Sequence, residues 1–169
     1  MLDRFSTNLT QVTGLLSFAA TTIACLLAAR RSESRDAPTW RLLAFINCLL
    51  LIETISGLRY QIHNLVKEKL ESEGLYTQMH GWIQELINIS IAIIALIFVT
   101  LFLFRRQVGG GAARVAVSMT IVVVALFAIE TVSLHELRPV IYQPIGPVLM
   151  IGWLWAIAAA GICLAATQR

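Results

Sequence analysis

Hydrophobic residues along this chain fall into five long runs that are separated by short polar or charged segments. The runs cover residues 11–29, 40–61, 82–104, 113–134 and 145–167. Each is close to the length of about 20 helical residues that crosses the hydrocarbon core of a bilayer. The pattern predicts an all-α integral membrane protein, a helical bundle in which one transmembrane domain, residues 1–169, contains five transmembrane helices.

The composition agrees with this prediction, since 57% of the residues are hydrophobic and only 14% are charged. An ordinary soluble domain is less apolar and more charged. A net charge of +3 would suggest nucleic-acid binding in a soluble protein, but here the arginines cluster at the ends of the apolar runs. They are better interpreted as topology signals. We therefore expect the chain to contact the lipid bilayer and no nucleic acid.

The distribution of arginines also predicts an orientation. A cleaved signal peptide in the first run would export the following segment, which carries four arginines, so we expect the first helix to be retained. With the amino terminus outside and the carboxyl terminus inside, eight of the 13 basic residues lie inside: Arg30, Arg31, Arg35, Arg41, Arg105, Arg106, Arg114 and Arg169. The lack of a readable eukaryotic targeting signal favours the bacterial inner membrane as the location.

Two of the segments between the runs have a composition that predicts their local structure. Residues 62–74 are rich in helix formers and end at Gly74, so the second helix is expected to extend out of the membrane to Glu73. A helix from Trp40 to that point would be about 50 Å long. Residues 143–147 contain two prolines and predict a stiff outer turn, with Pro147 in the first turn of the fifth helix.

Small residues mark the helix faces that should meet in the bundle, because apolar side chains gain little by leaving lipid for one another. Three such faces are predicted: Gly14, Ser17, Thr21 and Ala24; Glu85, Asn88, Ala92 and Ala95; and Gly152, Ala156 and Ala160. Residues 96–103 and 121–124 are bulky on every side and are expected to face lipid or a partner subunit. Cys25, Cys48 and Cys163 lie in apolar runs without metal or disulfide spacing and are interpreted as small core residues.

A short motif occurs twice in the chain. Residues 52–56 read Ile-Glu-Thr-Ile-Ser and residues 129–133 read Ile-Glu-Thr-Val-Ser. The match suggests that the second and third helices repeat as the fourth and fifth, in a parallel arrangement. The alternative is chance similarity between two apolar segments of low variety.

Each copy of the motif places one carboxylate, Glu53 or Glu130, inside an apolar run. Such a group is costly in a membrane and is usually paired, directed inward or functional. The predicted topology brings it to the outer end of the bundle together with other ionisable residues, including all three histidines: Arg59, His63, His80, Glu85, His135, Glu136 and Arg138. This convergence is the main functional signal in the sequence.

Three interpretations of the outer cluster remain open. In the first, Glu53 and Glu130 pair with Arg59 and Arg138, and the chain is a non-catalytic scaffold or an accessory subunit with a protein partner or a second copy in the membrane. In the second, Glu53, Glu130, His63 and His135 hold a transition metal, or His63 with His80 or His135 holds haem, in a redox protein.

In the third interpretation, the intramembrane glutamates serve proton-coupled transport, or Arg59 and Arg138 capture an anion or a lipid. The inner halves of the runs offer few polar groups for a proton path, chiefly Asn47, Ser118 and Thr120. The sequence contains no phosphate loop, nucleophile elbow or His-Glu-x-x-His motif. These patterns favour a protein that is not an enzyme, and they assign no catalytic residue.

Overall fold

The structure of the protein, a computed structural model, describes residues 2–32, 35–74, 82–104, 110–132 and 141–168. Within these ranges, the description covers the backbone but not the side chains of residues 2–8, 59, 60, 63, 66, 67, 70, 82, 84, 85, 102–104 and 132.

The described residues are nearly all helical, which confirms the predicted all-α class. The helices are α1 (Leu2–Arg31), α2 (Ala37–Ser56), α3 (Leu58–Ser72), α4 (Trp82–Phe104), α5 (Gly111–Val132) and α6 (Met150–Thr167). Four of these, α1, α2, α5 and α6, are long and apolar enough to cross a membrane. In α4, the shorter stretch Leu86–Leu101 is apolar as well. The chain therefore has the helices of a small membrane protein.

Four helices form a bundle in which α1 packs along both α2 and α6, and α5 packs along α6 and touches α2. Helix α4 lies outside this bundle and packs chiefly on α5. One end, which we call the Thr10 end, gathers the start of α1, the end of α2 and the start of α6. The other, the Arg31 end, gathers the end of α1 and the starts of α2 and α5.

The core of the bundle differs in character between its two ends. Toward the Arg31 end it is built from small residues around Trp40 and Leu43, with Cys25 fully buried among several alanines. Toward the Thr10 end it contains three aromatic rings, in which Phe127 stacks on Trp155 at 5.3 Å and Phe18 meets both at 5.6 and 5.8 Å. Cys48 and Cys163 are half-buried, and the three cysteines form no disulfide.

The predicted small-residue face of α1 is confirmed in part: Gly14, Ser17 and Thr21 are buried and Ala24 is half-buried. The predicted face of α6 is also confirmed only in part: Gly152 is buried and Ala156 is half-buried, but Ala160 is exposed and the buried face includes Trp155, Ala158 and Ile162. The reason is complementarity between the helices. Gly14 of α1 supplies the space that Trp155 of α6 fills, and Gly152 of α6 in turn lies against Thr10 of α1, so each close approach needs a small residue on one side only.

The outer helices differ from expectation at two further positions. Ala92 of α4 is exposed, because α4 lies at the edge of the bundle. In the bulky run at residues 121–124, Val123 is buried against the aromatic core while Val122 and Val124 are exposed. The described bulky residues at 96–98 and Leu101 of α4 are exposed as predicted.

The long helix expected from Trp40 to Glu73 is divided at Gly57. Helix α2 ends at Ser56, and Gly57 adopts φ +60° while its N–H donates to the Glu53 carbonyl at 2.7 Å. Glycine reaches this left-handed conformation without the steric cost that a Cβ would add. The chain then begins α3 at Leu58, and α3 contacts α5.

The turn before α6 is a small hairpin rather than the first turn of a helix. Strand β1 (Pro144–Ile145) pairs antiparallel with β2 (Val148–Leu149), and Gly146 has φ +67° between them. Pro147 lies in this turn, and α6 begins at Met150. The stiff turn predicted from the two prolines is present, but the helix starts five residues after the predicted boundary at Ile145.

Candidate functional site

Glu130 is the most buried of the predicted site residues that the structure describes. It lies near the end of α5 and is only 2% exposed. The Tyr142 hydroxyl donates a hydrogen bond of 2.6 Å to its Oε1 atom. One turn earlier on the same helix, Phe127 stacks on Trp155. The carboxylate is thus placed at the edge of the aromatic core, with a polar partner from the segment that leads into α6.

Tyr142 is itself positioned by the hairpin that follows it. The carbonyl of the next residue, Gln143, accepts the Met150 N–H at 2.9 Å and so closes the hairpin onto the first residue of α6. The Trp153 indole N–H donates to the Ile145 carbonyl at 3.0 Å, which adds a second contact between the hairpin and α6. The bond between Tyr142 and Glu130 therefore ties the end of α5 to the start of α6.

Glu53 lies at the same end of the bundle as Glu130, as the sequence predicted, but it is only half-buried. It occupies the last turn of α2, where its carbonyl accepts the N–H of Gly57. The next residue, Thr54, is buried, and its carbonyl accepts a hydrogen bond of 3.2 Å from the Gln11 side chain of α1. This contact fixes the turn that carries Glu53 against the start of α1.

The remaining predicted residues fall in two groups. The backbone of Arg59 and His63 is described in α3, which contacts α5, and that of Glu85 is described near the start of α4. The side chains of these three residues are not described, and His80, His135, Glu136 and Arg138 lie outside the described residues altogether. The ion pairs, the metal ligands and the haem ligands proposed from the sequence remain predictions.

The described side chains contain no group of three or more His, Cys, Asp or Glu residues that could hold a metal ion. All three histidine side chains lie outside that set, so this observation concerns Glu53, Glu130 and the cysteines rather than the full predicted site. The two described carboxylates remain candidate members of a site that the histidines would complete.

The polar groups proposed for a proton path each bond to the backbone of their own helix, and Asn47 also meets Thr21 of α1. Ser118 and Thr120 donate to the carbonyls one turn back, those of Arg114 and Ala116. Asn47, 1% exposed, donates to the Leu43 carbonyl at 2.8 Å, and its Oδ1 lies 3.0 Å from the Thr21 hydroxyl. Hydroxyls bonded in this way satisfy themselves within their own helix.

One buried contact at the Thr10 end was not predicted from the sequence. The hydroxyl of Thr10 accepts the Leu149 backbone N–H at 2.8 Å, in a buried position. Next to it, Gly152 of α6 lies so close to Thr10 that a Cβ on the glycine would approach the Thr10 methyl to 3.0 Å. The sequence offered one sign of this contact, the hydroxyl-bearing residue Thr10 immediately before the first predicted run at 11–29.

An apolar groove of about 540 Å³ separates α2 from α4, with α5 as its floor. Its walls are almost entirely aliphatic, and several small residues line it, including Thr39, Ala95, Thr120, Ala125 and Ala128. The groove is thus an apolar concave surface formed by three helices, α2, α4 and α5.

Comparison with protein-family models, with curated proteins and with solved structures gives no match to this chain. The function is therefore inferred from the geometry of the bundle itself.

Proposed function

We propose that this chain is a five-span, non-catalytic protein of the bacterial inner membrane, with its amino terminus outside and its carboxyl terminus inside, and that it is a scaffold or accessory subunit of a membrane complex. The observation that carries this proposal is the apolar groove between α2 and α4, whose lining includes the small residues Ala95, Ala125 and Ala128.

The groove beside α4 supports a protein neighbour within the membrane. Helices associate in lipid through close packing at small residues, since burial of apolar surface gives little advantage there. The groove offers Ala95, Ala125 and Ala128 between two helical walls. A helix of a partner subunit, or of a second copy of this chain, could approach all three of α2, α4 and α5 there.

The environment of Glu130 supports a structural role for one of the two intramembrane carboxylates. Its hydrogen bond with Tyr142 joins the end of α5 to the segment before α6. A carboxylate that holds two parts of the bundle together satisfies the general requirement that such a group be paired, without a transported proton or a ligand.

The proposal is tested by purifying the chain from its native membrane in a mild uncharged detergent, so that a partner subunit is retained, and measuring the mass of the particle by native mass spectrometry. We expect an assembly larger than the 18.7 kDa monomer. Ala95→Phe, which fills the groove, should dissociate it, whereas Ala92→Phe, on the exposed surface of the same helix and outside the groove lining, should leave it intact. A monomer in the unmodified protein, or equal dissociation by both variants, would contradict the proposal.

The same preparation tests the competing redox hypothesis, in which Glu53, Glu130 and the histidines hold a metal or haem. A visible absorption spectrum and elemental analysis should show neither haem nor a stoichiometric transition metal. A haem absorption band, or bound metal that is lost in His135→Ala, would assign the outer cluster to cofactor binding and replace the scaffold proposal.

A further inference from the structure

The Arg31 end of the bundle contains a polar cleft of about 980 Å³. Four helix termini surround it: the last turn of α1, the first turns of α2 and α5, and the last turn of α6. The polar side chains that line it include Arg31, Arg35 and Asp36, beside the buried ring of Trp40. In the sequence these arginines act only as topology signals, but the fold places Arg31 and Arg35 on one concave surface.

The charge of this lining favours an anion. Arg31 and Arg35 contribute two guanidinium groups, and Asp36 contributes one carboxylate. Oδ2 of Asp36 accepts the backbone N–H of Gly110 at 3.0 Å, so this carboxylate is engaged in holding the start of α5 beside α2. The guanidinium group presents paired N–H donors in a planar fork that matches the oxygens of a phosphate.

The start of α5 adds donors to the same surface. Gly110, Gly111, Ala112 and Ala113 all line the cleft. The first N–H groups of a helix have no acceptor within the helix and carry the positive end of its dipole. The backbone at Gly111 is open, since a Cβ there would have Arg114 Nη2 at 3.9 Å as its nearest neighbour. These donors reinforce the arginines, which remain the main charged groups of the cleft.

The position of the cleft identifies the source of the anion. It lies where the apolar helices α1 and α6 end and α2 and α5 begin, which is the level at which a membrane-spanning bundle meets the lipid headgroups. Basic pockets between transmembrane helices at that level can hold anionic headgroups. We propose that this cleft binds the phosphate group of an anionic phospholipid through Arg31 and Arg35.

The test uses the full chain in an uncharged detergent, where the general attraction of a charged bilayer is absent. Phosphatidylglycerol and phosphatidylcholine with the same acyl chains are titrated separately, and binding is measured by native mass spectrometry. We expect phosphatidylglycerol to bind at least about tenfold more tightly, and R31Q/R35Q to abolish that preference.

Two further variants separate the cleft from total charge. R30Q/R41Q removes the same charge from exposed arginines at the same end, outside the cleft lining, and should keep the preference. R31K/R35K, which retains both charges, should keep part of it. Circular dichroism and gel filtration check that each variant is folded, and if R31Q/R35Q does not fold, R31Q with R30Q as its control makes the same comparison.

Three results would overturn the proposal. Equal affinity for the two lipids would show that the cleft does not select an anionic headgroup. Equal loss in R31Q/R35Q and R30Q/R41Q would show that binding follows overall charge. Inorganic phosphate that binds in the cleft while phosphatidylglycerol does not would assign the arginines to a free anion instead of a lipid.

Discussion

Three glycines in the spanning helices should respond very differently to the same substitution, because their surroundings differ. A Cβ at Gly161 would have Met119 Cγ as its nearest neighbour at 3.5 Å, an ordinary van der Waals contact. A Cβ at Gly14 would lie 2.9 Å from two ring atoms of Trp155. At Gly152 it would lie 2.6 Å from Val148 Cγ1 and 3.0 Å from Thr10 Cγ2.

The free energies of unfolding follow from these distances. Alanine gains up to about 1 kcal/mol over glycine within a helix, so Gly161→Ala should be neutral or stabilising. At Gly14 the methyl group meets a rigid indole that is 2% exposed and stacked on Phe127. Overpacking of this kind costs about 1–3 kcal/mol, so Gly14→Ala should lose about 0–2 kcal/mol after the gain in helix propensity.

Gly152→Ala should be the most damaging of the three. The methyl group would push on Thr10, whose hydroxyl holds the Leu149 N–H. Weakening that buried hydrogen bond adds about 1 kcal/mol to the overpacking cost, which gives a net loss of about 1–3 kcal/mol.

Equilibrium unfolding of the three variants in mixed micelles of dodecyl maltoside and dodecyl sulfate measures the series. The expected order of stability is Gly161→Ala, then Gly14→Ala, then Gly152→Ala. A matched test replaces Trp155 by Phe, which shortens the ring system facing Gly14, and the Gly14→Ala cost should then fall. Equal costs at Gly161 and Gly152 would refute the close approach of α1 to α6.

Two other contacts give simple predictions. Tyr142→Phe removes the hydroxyl that donates to buried Glu130, so it should lower the free energy of unfolding by about 1.5–3 kcal/mol in the same micelle titration. A change smaller than the measurement error would show that this hydrogen bond does not hold the hairpin. Asp36→Ala removes the acceptor of the Gly110 N–H and should cost about 0.5–2 kcal/mol, whereas Asp36→Asn keeps an acceptor oxygen and should cost less, with faster amide exchange near Gly110 in the alanine variant only.

The spanning helices could be predicted from the sequence because the bilayer sets their length. The predicted run 11–29 lies inside α1, and both boundaries of the predicted run 113–134 differ from those of α5 by two residues. The break at Gly57 was missed because a single glycine inside a helical pattern does not by itself predict the end of a helix. The left-handed conformation of Gly57 turns the chain into α3, which packs on α5. Local pattern carries no information about that contact.

For the candidate site, the sequence predicted only how far along its helix each residue lies, and therefore which residues share one end of the bundle. Counting residues along the spans places Glu53 and Glu130 at the same end, and the fold does so too. Their different burial, half-buried against 2% exposed, depends on which helix each faces. The face of α6 shows the same effect, because Trp155 is buried only where Gly14 of another helix makes room for it.

The cleft at the Arg31 end was missed for a related reason. Arg31, Asp36 and Gly110 are separated in the sequence, and Asp36 meets Gly110 across 74 residues of chain. Counting the arginines in each loop predicts the side of the membrane on which they lie, but it does not predict that Arg31 and Arg35 line the same cleft. Such a site can be recognised only when it is known that α1 ends, and α2 starts, beside the start of α5.

The bond between Thr10 and Leu149 has a consequence for how the protein is made. The two residues are 139 positions apart, so α1 enters the membrane long before the hairpin and α6 that cover one side of it have been synthesised. Three threonines of α1 do not depend on those later segments, since Thr13, Thr21 and Thr22 each donate to a carbonyl one turn back in the same helix. The contact between α1 and the segment before α6 forms only when the Leu149 N–H reaches Thr10, so it is among the later contacts of the bundle to become available during synthesis.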